Sequence, residues 1–378
     1  MEHLKFKQTK TELHTHLMGM LSARKFLKIL SKYSDYIYWP INKTEDNNSR
    51  YIPTSYLLLS KRAVEAISIP LGQNRPYDEG LRDLYRNRSE LLSFVIQRFA
   101  TSHNIDVRVA QQIVYNDYFN SCLKELIAMG VKYTEISFAN EDIIQHLKVD
   151  EKLSKEIKYT FLLCTQRTNT VGPSMQEKIK RAYENNIAVG FDFMGMETPI
   201  DEDELKKTGR KSYYKKLNAV LDVLTNYPDS VLRIHSGEAI GTEENSEKIF
   251  KIIDEIKKDN GYKDFPPPEL RVGHAVHYNK TEYYYNFLKK NNAIIEINAT
   301  SNIALSNINS LSDIPYIDYL EHGIPIALST DGHGAYSTKI ILEDKLAYLQ
   351  YLKSKIPELY SEIIEWENDY LDKKVNRW

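Results

Sequence analysis

The sequence predicts a closed (β/α)8 barrel, on three observations. Eight short β-rich apolar runs occur, near residues 8–13, 131–138, 159–165, 187–193, 231–236, 270–275, 293–298 and 325–330. Most are apolar nearly throughout, as in KYTFLLC, AVGFDFM and AIIEINAT, which is how parallel strands covered on both faces read. Stretches with helical periodicity, such as 173–186, 243–258, 279–291 and 311–322, separate them. Eight alternating βα units favour closure over an open doubly wound sheet, although pattern alone leaves the open sheet as an alternative.

The first connection breaks this rhythm. Residues 18–130 lie between the first two strands, whereas a βα loop usually has about 2–6 residues. This segment carries helices near 20–34, 80–102 and 106–129, with the polar stretch SDYIYWPINKTEDNNSRYIPTSY between the first two. Long loops in compact domains usually serve the site. The expectation is therefore one domain spanning 1–378, with 18–130 as a helical cap over the C-terminal mouth of the barrel. The C-terminal KVNRW reads as a trailing tail.

Composition narrows the function. With 42% hydrophobic and 27% charged residues the chain is of ordinary globular type. A net charge of -2 gives no basic field for nucleic acid or a membrane surface, and no basic stripe is interleaved with aromatics. No apolar run reaches the roughly 18 residues of a membrane helix. The N-terminal MEHLKFKQTK lacks the apolar core of a secretory signal. Cys122 and Cys164 form no CxxC pair, so a cysteine zinc site is excluded, and their scarcity fits a reducing compartment. The cytoplasm is the expected location, and a homo-oligomer is neither indicated nor excluded.

The chemistry lies at strand ends. In ELHTHLMG, His14 and His16 are two apart, so a strand puts both imidazoles on one face. Ten histidines in this length make a chance HxH common, and the pair alone is a weak signal. RIHSGEA places His235 at the end of the fifth strand with Glu238 in the turn beyond. RVGHAVH ends the sixth strand at His274, with His277 out in the loop. ALSTDGHG sets Asp331 just after the eighth, where a lone Asp-Gly would be an ordinary turn or helix cap. Together these residues converge on one mouth of a barrel, the catalytic one. Three imidazoles and a carboxylate form a nitrogen–oxygen site that leaves a position for water, as catalytic zinc sites do. Zinc brings the pKa of such a water to about 7.

In order and spacing, ELHTHL, GFDFMGMET, RIHSGEA, RVGHAVH and STDG resemble the adenosine deaminase family of metal-dependent hydrolases, from residue 12 to about 336. The resemblance implies that His14, His16, His235 and Asp331 bind one zinc ion. It implies that Glu238 protonates purine N1 as hydroxide attacks C6, that His274 orients the hydroxide, and that Gly195 offers backbone to the purine edge. Glu238, His274 and Asp331 are then the catalytic set. Two positions depart from the family. Met18 replaces an Asp that contacts the ribose 5′ end. Gly332, followed by His333, replaces a second Asp that bonds N7, and His333 could take over that contact.

Loss of the 5′ carboxylate suits an anionic ligand. The expected substrate is thus an adenine 5′-nucleotide (AMP, dAMP, ATP or dATP) before free adenosine. Arg24, Lys25, Lys61, Arg62, Arg75 and Arg82 are the candidate phosphate binders. The drifted motifs also resemble deaminases of prokaryotic antiviral defence. The alternatives are a zinc amidohydrolase with a non-adenine substrate and a non-catalytic nucleotide-binding or scaffold barrel.

Overall fold

A computed structural model of the chain describes residues 10–39, 50–59, 61–69, 77–167, 173–208, 212–227, 229–261, 268–336 and 341–375. Eight parallel strands form one sheet in the order β1 (Thr11–His16), β4 (Tyr133–Phe138), β5 (Lys158–Gln166), β6 (Gly190–Met194), β7 (Ser230–Ser236), β8 (Pro268–His274), β9 (Ile294–Ile297) and β10 (Ile326–Leu328). The numbering leaves β2 (Tyr36–Trp39) and β3 (Arg50–Pro53) for a separate antiparallel pair. The seam between β10 and β1 closes at the mouth. Thr15 and Asp331 form a parallel bridge, Asp331 N donates to His14 O at 2.9 Å, and Thr330 N donates to Glu12 Oε1 at 3.1 Å. This is the (β/α)8 barrel that the apolar runs predict.

The first strand runs further than its apolar pattern suggests and carries both histidines within it. Its pairing with β4 is irregular between Glu12 and Thr15, where a bulge adds one residue. The three helices expected in the insertion are Ala23–Tyr33, Tyr77–His103 and Val107–Ala128, and two short ones, Thr54–Leu59 and Lys61–Ala66, lie between the first two. The polar stretch after Ala23–Tyr33 supplies β2 and β3, because YIYW and RYIP are rich in β-favouring aromatic and branched side chains. The helix expected over 311–322 is broken. Pro315 disfavours helical geometry at Ile314, so a 3-10 turn at Leu311–Asp313 precedes a short helix at Tyr316–Glu321.

Of the KVNRW tail, Lys374 and Val375 belong to the last helix, and 376–378 lie outside the described residues. Two helices, Ile341–Lys355 and Pro357–Val375, end the described chain. Tyr370 and Leu371 of the second pack with Leu13, Tyr133, Ile294 and Ala327 across the lower end of the barrel. Burying those apolar faces is worth roughly 1.5–3 kcal/mol for each large side chain. A continuous apolar core joins the insertion (Phe26, Leu30, Val95, Phe119) to the barrel wall (Phe161, Phe193, Ile295).

Candidate active site

Inward positions of the strands repeat every second residue, and here they carry polar groups in two layers. The lower layer is ionic. Arg233 Nε lies 2.7 Å from Glu296 Oε2, and Arg271 bridges Glu135, Glu269 and Glu296, the last at 3.1 Å. Arg233, Arg271, Glu135 and Glu296 are fully buried. Each acceptor and donor is matched, which is what keeps such charges affordable away from water.

The upper layer holds the histidines. Ring centroids of His14 lie 5.6 Å from His16, 4.5 Å from His235 and 5.2 Å from His274. Glu296 Oε2 sits 2.8 Å from His14 Nδ1, so the lower layer turns the other ring nitrogen toward the mouth. Gly273 makes this possible, since a Cβ there would meet His14 Cε1 at 2.6 Å. Asn302 Oδ1 orients His274 in the same way, 3.1 Å from its Nδ1. Asp331 Oδ1 lies 3.2 Å from His16 Nε2 and 3.7 Å from His14 Nε2. His274 and Asp331 both have positive φ, 68° and 63°, a conformation that non-glycine residues adopt at some cost and that clusters at functional sites.

Three buried nitrogens, Nε2 of His14, His235 and His274, have no hydrogen-bond partner. Ligand atoms of His14, His16 and Asp331 gather within 4.8 Å of one another, as do those of His14, His235 and His274 and of His16, Asp192 and His235. Unpartnered inward nitrogens beside carboxylates fit a divalent metal. Burial holds His235 down to about 4 against the pull of Asp192, and burial with Arg233 keeps His14 well below the usual imidazole range. Both are therefore neutral, the form that binds metal. Burial would lower His16 too, but the Asp331 hydrogen bond and charge outweigh it and raise it. Asp331 in turn stays below the usual carboxylate range, because His16 overcomes the effect of burial.

Glu238 adjoins this cluster, with ligand atoms of Glu238, His274 and Asp331 within 4.8 Å of one another. Burial raises its carboxyl above the usual range despite the nearby His274, whose Nε2 is 3.7 Å from Oε1. A carboxyl that holds its proton more tightly is better suited to act as a general acid. Two residues that sequence reasoning passed over hold it. Glu197 accepts from the backbone N–H of Gly237 (3.1 Å), Glu238 (2.7 Å) and Ala239 (3.4 Å), and from Asn245 Nδ2 at 2.9 Å. Tyr77, on the first turn of Tyr77–His103, donates to Glu238 Oε2 at 2.7 Å and accepts from Glu197 N at 3.0 Å. Asp192 was also passed over. It lies 3.3 Å from His235 Nε2 and accepts from Ser137 and Arg233. The clue to it was visible, a charged residue in the middle of the otherwise apolar GFDFM.

The cavity measures about 510 Å³ and is lined by His16, Met18, Gly195, His235, Glu238 and Asp331, with Leu81, Tyr85, Arg86 and Ser89 from the insertion. Arg88 draws the insertion onto the mouth, donating to the carbonyls of Met18 (2.9 Å), Leu21 (2.8 Å), Gly334 (2.8 Å) and Ile67 (2.8 Å). Gly332 and His333 are not among the lining residues. Gly332 has φ +132°, and a Cβ on it would come 3.0 Å from Gly19 Cα, so no larger residue fits that turn without movement. The N7 contact expected of His333 is not what this geometry offers. The short helix His333–Tyr336 swings its ring toward Glu125, 3.3 Å from Nε2. His277 is likewise turned away, onto Asn307 O at 2.8 Å. Lys25 pairs with Glu125 at 2.5 Å, and Arg24 is exposed; neither lines the cavity. Arg75 lies outside the described residues, as do the side chains of Lys61, Arg62 and Arg82.

The model of the adenosine deaminase family matches residues 79–351, well over half of the chain. The chain belongs to the adenosine deaminase family. It is a purine deaminase, a hydrolase. Adenosine deaminase of Plasmodium gallinaceum is 25% identical over 279 residues, covering 70% of each chain. Adenosine deaminase of Clostridium botulinum strain Loch Maree is 25% identical over 357 residues, covering 89% of this chain and 85% of its own. Among solved structures, the N6-methyl-AMP deaminase of Arabidopsis thaliana superposes with a TM-score of 0.60 at 21% identity, covering 94% of this chain and 90% of its own. An ADAL–IMP complex gives 0.58 at 22%, with the same coverage. At those identities the two structures bear on the fold. No helix among the described residues is long and apolar enough to cross a membrane.

Proposed function

We propose that this deaminase is zinc-dependent and converts the 6-amino group of an adenine 5′-nucleotide to the inosine form, releasing ammonia. One observation carries the reading: the make-up of the cavity wall. Its buried part holds His16, His235, Asp331 and Glu238, its exposed part holds Arg86, and among the described lining residues no carboxylate occurs besides Asp331 and Glu238. An anionic ligand meets no repulsion where Met18 stands, and Arg86, shared with Glu90 at 2.7 Å, offers a guanidinium to phosphate.

His14, His16, His235 and Asp331 would hold the ion. When bound, zinc supplies Lewis-acid activation of water at neutral pH. The chain's residues do the rest. Glu238 donates a proton to the ring nitrogen beside the carbon under attack, so negative charge does not build up there; such acid help is worth about 10²–10⁴ in rate. His274, fixed by Asn302, orients the attacking oxygen. Gly195, with φ +101°, presents backbone to the purine edge. The insertion acts as a cap whose helix Tyr77–His103 closes the ligand in. The complexes named for the structural relatives, with IMP and GMP, support a nucleotide.

The test is ultraviolet absorbance with adenosine, AMP, dAMP and ATP, alongside zinc content by mass spectrometry before and after chelation. One nucleotide is expected to exceed adenosine in kcat/KM by at least about tenfold, the scale of one good charged contact. Chelation should remove zinc and turnover together. Adenosine outranking every nucleotide overturns the substrate assignment, and full activity in zinc-free protein overturns the metal.

A further inference from the structure

We infer that Tyr77, a residue of the insertion, positions the catalytic acid by fixing which oxygen of Glu238 faces the substrate. The inference rests on the role given to Glu238 above. A neutral carboxyl has one oxygen that donates and one that accepts. The Tyr77 hydroxyl has a single proton, and its oxygen already accepts from Glu197 N at 3.0 Å. Its proton is therefore committed to Glu238 Oε2, 2.7 Å away. Oε2 becomes the accepting oxygen, and the acid proton belongs on Oε1, the oxygen on the side of His274. Burial raises the Tyr77 phenol well above its usual range, so it remains a donor. Without this bond, the carboxyl could turn and present its proton away from the base.

The reaction balances with Glu238 returned to its starting state. Water adds its oxygen to the ring carbon. Glu238 Oε1 gives its proton to the adjacent ring nitrogen and regains one from the attacking water. The second water proton leaves with the amine as ammonia, and the carbon–nitrogen bond breaks. Between the two proton transfers Glu238 is a carboxylate, and the Tyr77 bond to Oε2 is then charge-assisted and stronger. Tyr77 thus favours the charged stage over the ground state, which raises kcat more than it lowers KM.

The arrangement also ties the acid to the insertion. Tyr77 stands on the first turn of the helix whose Leu81, Tyr85, Arg86 and Ser89 line the cavity. Glu197 completes the link, since the same residue whose N–H reaches Tyr77 carries the carboxylate that clamps the Gly237–Ala239 turn.

The experiment is steady-state kinetics of Tyr77→Phe in the zinc-loaded, full-length protein, on the preferred nucleotide. Phenylalanine keeps the ring of this half-buried residue and removes only the hydroxyl. The expected result is kcat lower by about 10- to 100-fold, the scale of a hydrogen bond to a charged group. KM should stay within about twofold, with unchanged zinc content and melting temperature. Unchanged kcat overturns the inference, as does a loss confined to KM, which would make Tyr77 a binding residue. Tyr77→Leu is a second check, because it removes the ring too: a kcat far below that of Tyr77→Phe with the Phe variant at wild-type rate assigns the role to packing and overturns the bond. Failure of the functional reading shows separately, as a wild-type protein that turns over no adenine nucleotide.

Discussion

The two polar layers inside the barrel use similar residue types to opposite ends. In the lower layer Arg233 and Arg271 meet Glu135, Glu269 and Glu296, and the groups satisfy one another. In the upper layer the imidazoles face one another, and three nitrogens are left unpartnered. Burial alone therefore does not mark a site. What marks it is several unpartnered imidazole nitrogens gathered in one place beside carboxylates, an arrangement that a bound ion would complete. The layers meet in Glu296, which pairs with both arginines and also turns His14 toward the mouth.

The sharpest break of this contrast is Glu238→Gln, which leaves the histidine cluster intact. It is expected to lower kcat by about 10³–10⁴-fold, near the top of the range for general acid help, with zinc content unchanged. Stopped assays with the preferred nucleotide check it, and retained turnover would remove Glu238 from its role. Next comes Arg271→Met in the lower layer. It deprives the fully buried Glu135 of its nearest cation, and chemical denaturation should show a loss of about 3–5 kcal/mol, the scale of an uncompensated buried charge. A loss under about 1 kcal/mol would mean the layer is not the tight network it looks. Glu296→Gln probes the join. Zinc affinity should fall by about 10- to 100-fold, as it does when a ligand's outer partner is weakened. Competition with a chromogenic chelator reads this, and an unchanged affinity would separate the layers. The smallest effect belongs to the surface, where Lys155→Ala, breaking the exposed pair with Glu151, should cost no more than about 0.5 kcal/mol in the same denaturation assay.

Much of this was legible in the sequence for a simple reason. His14, His16, His235, His274 and Asp331 sit at ends of apolar runs, so strand periodicity and barrel topology together say where they point. The residues that were missed act over long separations. Tyr77 reaches Glu238 across 161 positions and Arg88 reaches Gly334 across 246, contacts that no local pattern encodes. Asp192 lies inside a strand motif, and its partners His235 and Ser137 come from other strands, which no local pattern encodes. His333 was misdirected because side-chain direction after Asp331 depends on the short helix that starts there, and a Gly at 332 gives no hint of it. The hairpin of β2 and β3 was hidden by polar residues between its two short strands.

The most direct measurement of the central claim is X-ray absorption at the zinc edge on protein loaded with one equivalent of the metal. Cys164 also lines the cavity, so the donor set is a real question. The upper layer predicts nitrogen and oxygen neighbours at about 2.0–2.1 Å, with the multiple-scattering signature of imidazole and no sulfur. A sulfur shell near 2.3 Å, or zinc that washes away on gel filtration, would contradict it.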